Sequence, residues 1–443
     1  MALYRHLALL LTTLVAGLAI VLAAPVQPTI LGGHWVETWV SMPQLTEYTN
    51  LPPPPFNQSG LVFPNSTLRQ TLHMSVGGSQ IRLQFSNAFG SVDLPITAVT
   101  VALPSNGSSG DSAIDTSTLQ TVTFSGNQSI IVPDGSLVVS DPLNFAIAPQ
   151  STITVTMYLA EGQASNYITS HPGSRATSYF SFGNYVNAQN MTDPSTQSIA
   201  HWYFVSAVQT WAPSSTSVWA IVGDSITDGR GSDTDGNDRW PDLVLRRMQE
   251  DPLTANIAVI NQAAGGNRIL YDGLGPNAQG RIERDVLAQS GVKYAMIFEG
   301  VNDIGTADTT AAAQQLVGDR LLLAYQQIIT RVHTFGIPIF AATITPFGAP
   351  NNTIQPYSDP TREATRQRVN AWIRGGPTGN ASLFDAVVDF DAIVRDPANP
   401  AQLNPIYNSG DYLHPNVAGY TAIAEAFPLS LFTEFAFGVS SFN

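Results

Sequence analysis

Val222-Gly223-Asp224-Ser225-Ile226-Thr227-Asp228-Gly229 is the stretch on which the reading of this chain turns. The apolar run before it, 217–222, reads as a buried strand. The run breaks at a glycine and sets a serine where the strand should end. A serine at a strand-to-helix junction projects its hydroxyl into a crevice rather than into the core, and a nucleophile must sit there to meet its substrate. Unaided, a serine hydroxyl is a poor nucleophile. The rest of the chain has to supply a base, a group to orient that base, and donors aimed at an oxyanion.

Downstream, strand-like and helix-like runs alternate. Strand 218–222 precedes a helix near 239–250, strand 258–261 a helix near 280–289, and strand 294–299 a long helix over 310–335. Strand 338–344 precedes a helix near 362–373, and a fifth strand near 386–390 precedes a last helix, 415–426. Such alternation predicts an α/β domain with parallel strands and crossover helices on both faces. In an open parallel sheet, catalytic groups gather at the carboxyl ends of the strands. The second strand ends in Asn261-Gln262-Ala263-Ala264-Gly265-Gly266-Asn267-Arg268, whose glycines let a main-chain N–H approach the crevice. The third ends in Glu299-Gly300-Val301-Asn302-Asp303, where the Asn302 amide can donate to the same point.

A base working near neutral pH is histidine. Of the seven, His6 lies in the N-terminal apolar segment, His73 in a predicted strand and His333 inside the long helix, leaving His34, His171, His201 and His414. His414 sits in Gly410-Asp411-Tyr412-Leu413-His414-Pro415, with Pro415 suited to the first helical turn and His414 on the loop before it. Asp411, three residues back, can fold onto the same turn and fix the imidazole tautomer. Asp224 and Asp303 read as carboxylates that bond loop amides. Asp389 and Asp391 compete with Asp411 for the orienting role, but they belong to a different strand end. Arg239 and Arg268 read as loop clamps before substrate ligands, and Trp240 as a packed side chain. Taken singly, Gly-Asp-Ser is a turn and Asp-X-X-His-Pro a capped helix start; their occurrence in order with the two middle blocks is what points to chemistry.

These four blocks resemble the SGNH, or GDSL-like, hydrolase superfamily. Gly223-Asp224-Ser225 is similar to its first block, Asn261 to Asn267 to its second, Gly300-Val301-Asn302-Asp303 to its third and Asp411-Tyr412-Leu413-His414-Pro415 to its last. Ile226 stands where the family name has leucine. The resemblance implies a flavodoxin-like three-layer α/β/α domain and acyl-ester hydrolysis without a cofactor or metal. It implies Ser225, His414 and Asp411 as catalytic residues and Ser225, Gly266 and Asn302 as the oxyanion hole. Alignment on Asn261 and Asn267 favours Gly266 over Gly265. A finer resemblance, carried by Arg239-Trp240-Pro241-Asp242, Asp389-Phe390-Asp391 and Arg395-Asp396-Pro397, is to secreted members with an N-terminal β-sandwich.

The first half bears this out as an expectation. Residues from about 30 to 210 hold short alternating runs, such as Leu72, Met74, Ile81, Leu83 and Phe85, separated by Gly, Asn, Ser and Pro clusters. They predict an antiparallel β-sandwich, jelly-roll-like, over 24–212, with the catalytic domain at 213–443. Gly77-Gly78 reads as a turn between two of the runs, and Ala212-Pro213-Ser214-Ser215 as the linker. Residues 1–23 read as a signal peptide: Arg5 and His6 precede an apolar run, and Val21-Leu22-Ala23 offers small residues for cleavage. An uncleaved anchor is the alternative; after cleavage no membrane anchor is expected.

Seven Asn-X-Ser/Thr sequons (Asn57, Asn65, Asn106, Asn127, Asn190, Asn351 and Asn380) fit a secreted, N-glycosylated chain. There is no cysteine, so stability must come from two sizeable cores, which 443 residues with 44% hydrophobic content allow. The net charge of −14, with Lys293 the single lysine, argues against nucleic acid and anionic membranes as partners. No His-Glu-X-X-His, Gly-X-Ser-X-Gly or phosphate-cradling loop occurs. The expectation is therefore a secreted serine esterase acting on acetyl or short-chain acyl esters, on polysaccharides by preference. A lipase or lysophospholipase is the alternative, and a glycan-binding protein with a vestigial hydrolase scaffold is the alternative of another class.

Overall fold

The computed structural model describes residues 32–375 and 383–441. The apolar N-terminal run with its cleavage position, and the sequon at Asn380, lie outside the described residues.

The first half is a β-sandwich. One sheet has six antiparallel strands in the order Gln197–Ile199, Ser178–Phe182, Ser66–His73, Thr152–Leu159, Ala98–Pro104, Ile114–Val122. The other has four, in the order His34–Val40, Val205–Ala212, Ile81–Ser86, Leu137–Val139. Alternation along the strands does the sorting: Leu68, Leu72, Val99, Val101, Ile153 and Val155 from one sheet meet Ile81, Leu83, Phe85 and Val208 from the other in one core. The two runs flanking Gly77-Gly78 pair in different sheets. The glycines therefore carry the chain across the sandwich instead of closing a hairpin, and the Gly78 N–H donates to the Ile147 carbonyl at 3.0 Å. A small sheet of Trp202–Tyr203, Thr169–His171 and Gln44–Leu45 projects toward the second half.

The second half is a five-stranded parallel sheet flanked by helices. Its strands, in chain order, are Ser217–Gly223, Ile257–Ala263, Val292–Phe298, Ile339–Ala342 and Ala386–Val388, and in space they run second, first, third, fourth, fifth. The first and third are buried almost throughout, as strands covered on both faces must be. Helix Ala311–His333 starts on Thr310, whose hydroxyl accepts the Ala313 N–H, and turns Leu321, Tyr325, Ile328 and Val332 inward.

Three predicted boundaries move for local reasons. The helix expected over 280–289 is an α segment, Ala278–Ile282, that widens into a π turn, Glu283–Leu287. The fifth strand stops at Val388 because Asp389 caps a new helix, Phe390–Val394, by accepting the Ala392 N–H. The last helix begins at Val417, not Pro415, because Asn416 is its cap and accepts the Gly419 N–H. Pro415 stands ahead of the cap, and His414 stays on the loop.

The halves share surface. Val36, Val40, Val76, Ala207 and Ala212 join the apolar cluster built around the parallel sheet. The Glu37 N–H donates to the Ser290 carbonyl at 3.1 Å, and the Val259 N–H to Ser75 Oγ at 2.6 Å.

Candidate active site

The first parallel strand has neighbours on both sides, so the strand order reverses at it and a crevice opens beyond its carboxyl end. Ser225 opens a four-residue helix, Ser225–Asp228, there, and the Asp224 carboxylate accepts the Ile226 N–H at 2.9 Å as its cap. Gly223 allows the turn: a Cβ would lie 2.6 Å from Thr227 Oγ1 and 3.0 Å from the Phe298 carbonyl oxygen.

Ser225 Oγ lies 2.7 Å from His414 Nε2, across 189 residues of chain. His414 Nδ1 lies 2.6 Å from Asp411 Oδ2. The other oxygen of Asp411 accepts the Leu413 and His414 N–H groups at 3.0 and 2.9 Å, so the carboxylate is fixed from both sides. Tyr412, at φ 59°, holds the left-handed conformation that folds Asp411 back onto His414, an uncommon one for a bulky residue. Burial pushes the Asp411 carboxyl up, but the hydrogen bond and charge of His414, with the two amides, outweigh it and hold it far below the ordinary carboxylate range. Burial lowers the basicity of His414; Asp411 pushes it back up, and the charges of Arg230 and Arg175 press it down again. A hydroxyl, an imidazole and a carboxylate in this sequence can move the serine proton to the ring and hold the resulting charge.

Gly265, Gly266 and Asn302 line the same cleft, of about 380 Å³, as Ser225 and His414. Gly266 adopts φ 74°, and a Cβ there would overlap Leu274. Asn302 lies on helix Val301–Thr306 and spends one amide hydrogen on the Asn267 carbonyl at 2.9 Å. Its Oδ1 accepts the Tyr357 hydroxyl at 3.1 Å, which fixes the amide and leaves its second hydrogen unspent.

The competing residues are engaged elsewhere. Asp303 accepts the Ile269 and Leu270 N–H groups, and burial pushes its carboxyl up to about 6. Asp389 pairs with Arg374, and Asp391 with Arg366 and Arg374. Arg239 clamps two loops, donating to the Asp228 and Ser174 carbonyls, and Arg268 donates to the Asp272 carbonyl. Trp240 packs on Trp219, Phe390 and Phe427. His333 pairs with Asp385, and His73 ends a sandwich strand.

Sequence reading missed the opposite wall, which comes from the first half. Gln44, Glu47, Asn50, Gly173 and Arg175 line the cleft beside Ser225. His171 reaches the helix of Ser225 itself: its Nε2 lies 2.9 Å from Asp228 Oδ1 and its Nδ1 3.0 Å from the Met42 carbonyl. No spacing in the chain marks these residues, because their neighbours are set by how the halves pack.

No curated protein matches the chain. Among solved structures, it resembles a carbohydrate acetylesterase family member from Sinorhizobium meliloti at 13% identity and TM-score 0.36, covering 50% of this chain and 100% of that one. A GDSL-like lipase from Bacteroides thetaiotaomicron matches at 17% identity and TM-score 0.30, covering 50% of this chain and 89% of that one. An acetyl xylan esterase matches at 18% identity and TM-score 0.34, covering 47% of this chain and 96% of that one. Residues 221–422, which hold the whole Ser225–His414–Asp411 arrangement, match the model of the GDSL-like Lipase/Acylhydrolase family.

Proposed function

We propose that the chain is a serine esterase in which Ser225 attacks an ester carbonyl, His414 takes its proton and Asp411 orients the ring. The Ser225 and Gly266 N–H groups and the free hydrogen of the Asn302 amide receive the oxyanion. An acyl-enzyme forms as the alcohol leaves with the proton held by His414, and water clears it by the reverse path. The observation that carries the reading is the unbroken pair of short hydrogen bonds, 2.7 Å from Ser225 to His414 and 2.6 Å from His414 to Asp411.

The substrate we favour has a short acyl chain on a polar, carbohydrate-like alcohol. The cleft wall of Gln44, Glu47, Asn50, Arg175 and Arg230 is polar, and its apolar members, such as Leu274 and Leu413, are too few to sheathe a long chain. We read 24–212 and 213–443 as two domains, the first jelly-roll-like, and the spatial strand order of the second as flavodoxin-like. Secretion with N-glycosylation is part of the same reading: Asn65, Asn106, Asn127, Asn190 and Asn351 are exposed acceptors.

A panel of aryl esters of increasing acyl length, run on wild type and Ser225→Ala, tests it. Acetate should be preferred, and the variant should lose about a thousandfold or more in kcat with an unchanged circular dichroism spectrum. Activity that survives in Ser225→Ala would refute the nucleophile; a preference for long acyl chains would refute the substrate class.

A further inference from the structure

Two guanidinium groups face the cleft beside Ser225 with nothing to hold. Arg175, from the first half, and Arg230, just beyond the helix of Ser225, line it together. In this acidic chain the deeply buried arginines are spent: Arg69 on carbonyls and a hydroxyl, Arg239 on the Asp228 and Ser174 carbonyls, Arg281 on Asp285, Arg366 on Glu363 and Asp391. Among the described residues, neither Arg175 nor Arg230 has a carboxylate within ion-pair distance, and the Arg175 Nε is fully buried without a partner. A buried donor left unpaired costs stability, so the fold maintains this one against a penalty.

Its backbone is held against a penalty as well. Arg175 sits at φ 49°, in the left-handed region. The Asp235 N–H donates to its carbonyl at 2.8 Å, while the Asp235 carboxylate accepts the N–H and hydroxyl of the next-but-one residue, Thr177, at 2.7 Å each. Arg230 is anchored by its own backbone: its N–H donates to the Ser225 carbonyl at 2.9 Å and its carbonyl accepts the Tyr420 hydroxyl at 2.5 Å, leaving an exposed side chain. Glu47, on the same wall, pairs with neither; Gln44 and Asn50 donate to its two oxygens at 2.6 and 2.9 Å. Both arginines lie close enough to depress the basicity of His414.

We propose that Arg175 and Arg230 form an anion subsite next to Ser225, and that the preferred ester carries a carboxylate. The planar fork of a guanidinium fits a carboxylate and is charged at every relevant pH. The inference rests on the esterase reading and narrows its substrate. The carboxylate can come with the alcohol, as in an O-acetylated uronic acid, or with the acyl group, as in the hemiester of a dicarboxylic acid.

Two matched pairs tell these apart: O-acetylgalacturonic acid against its methyl ester, and the 4-nitrophenyl hemiester of adipic acid against its methyl ester. In at least one pair kcat/KM should favour the acid by roughly tenfold or more, the usual worth of a charge-assisted hydrogen bond. The ratio should fall toward one in Arg175→Gln and in Arg230→Gln. Should Arg175→Gln not fold, the exposed Arg230 still reads the subsite. Calorimetric binding of each acid and its methyl ester to Ser225→Ala reads the same preference without turnover, which separates failure of the subsite from failure of the esterase reading. Equal treatment of acid and methyl ester in both pairs and in binding, or a preference that outlives both substitutions, overturns the proposal.

Discussion

At the scale of single residues, His414, the base of the proposed mechanism, is tuned by what surrounds it. Only neutral His414 can accept the Ser225 proton, so activity falls as the pH drops through the pKa of the ring. Burial and the charges of Arg230 and Arg175 lower that pKa against the pull of Asp411. The acid limb of kcat/KM should therefore have its midpoint below the ordinary imidazole value of about 6.5. A pH–rate profile with its midpoint at 7 or above would contradict this. Tyr357 acts one atom further out, through Asn302, by holding Oδ1 so that an amide hydrogen stays aimed at the cleft. Tyr357→Phe keeps the ring against Phe347 and removes only that bond. It should lower kcat by about fivefold, the worth of one ordinary hydrogen bond, with little change in KM. An equal rise in KM at constant kcat would instead make Tyr357 a substrate contact. Ser225, Asp411, His414 and Asn302 were legible in the chain because each lies inside a short block whose turn chemistry is local. Tyr357 was not, since its 3.1 Å bond to Asn302 spans 55 residues and leaves no local pattern.

At the scale of elements, the short helix Ser225–Asp228 is gripped from two directions. Asp224 caps it from below, and the loop after strand Thr169–His171 closes on it from the first half. Gly173 is the point of closest approach: a Cβ there would lie 1.6 Å from Asp228 Oδ2. Asp228 has little room to retreat, because His171 holds its other oxygen. Gly173→Ala should displace the helix, cost about 1–3 kcal/mol of stability and lower kcat/KM. Denaturant unfolding with an ester assay checks both, and a variant of wild-type stability and rate would show the loop to be loosely held. The alternation of strands and helices was readable because buried parallel strands are apolar throughout and the helices carry a 3.6-residue stripe. The π turn at Glu283–Leu287 and the early end of the fifth strand were not. The first departs from the α repeat with no Gly or Pro inside it, and the second depends on the Asp389 cap winning over the apolar Phe390.

At the scale of the whole molecule, several carboxyls are buried with raised proton affinity. Burial lifts Glu37 to about 7, Asp224 to about 7, Glu299 to about 8 and Asp303 to about 6. A carboxyl that binds its proton more tightly folded than unfolded stabilises the fold below its unfolded pKa, near 4, and loses that contribution as pH climbs through the folded value. Carboxyls held low, such as Asp411 and Asp389, act in the opposite sense and lose theirs in strong acid. His73, His201 and His414 are held below the ordinary imidazole value and withdraw stability as the pH drops under about 6.5, so the carboxyls act unopposed only above it: Tm should fall by several degrees from about pH 6.5 to pH 8. A Tm that rises over that interval would show these carboxyls to be solvated or otherwise paired. The chain by itself determined the two halves' element types and marked Ser225, His414 and Asp411 as candidates on turns beyond the strands, because periodicity, caps and turn residues act over a few positions. Only the tertiary structure decided that the first half walls the cleft, presents Arg175 and His171 to it and shares the second half's core. Those contacts depend on the packing of surfaces distant in the chain, and packing is selected by shape and burial over the whole molecule.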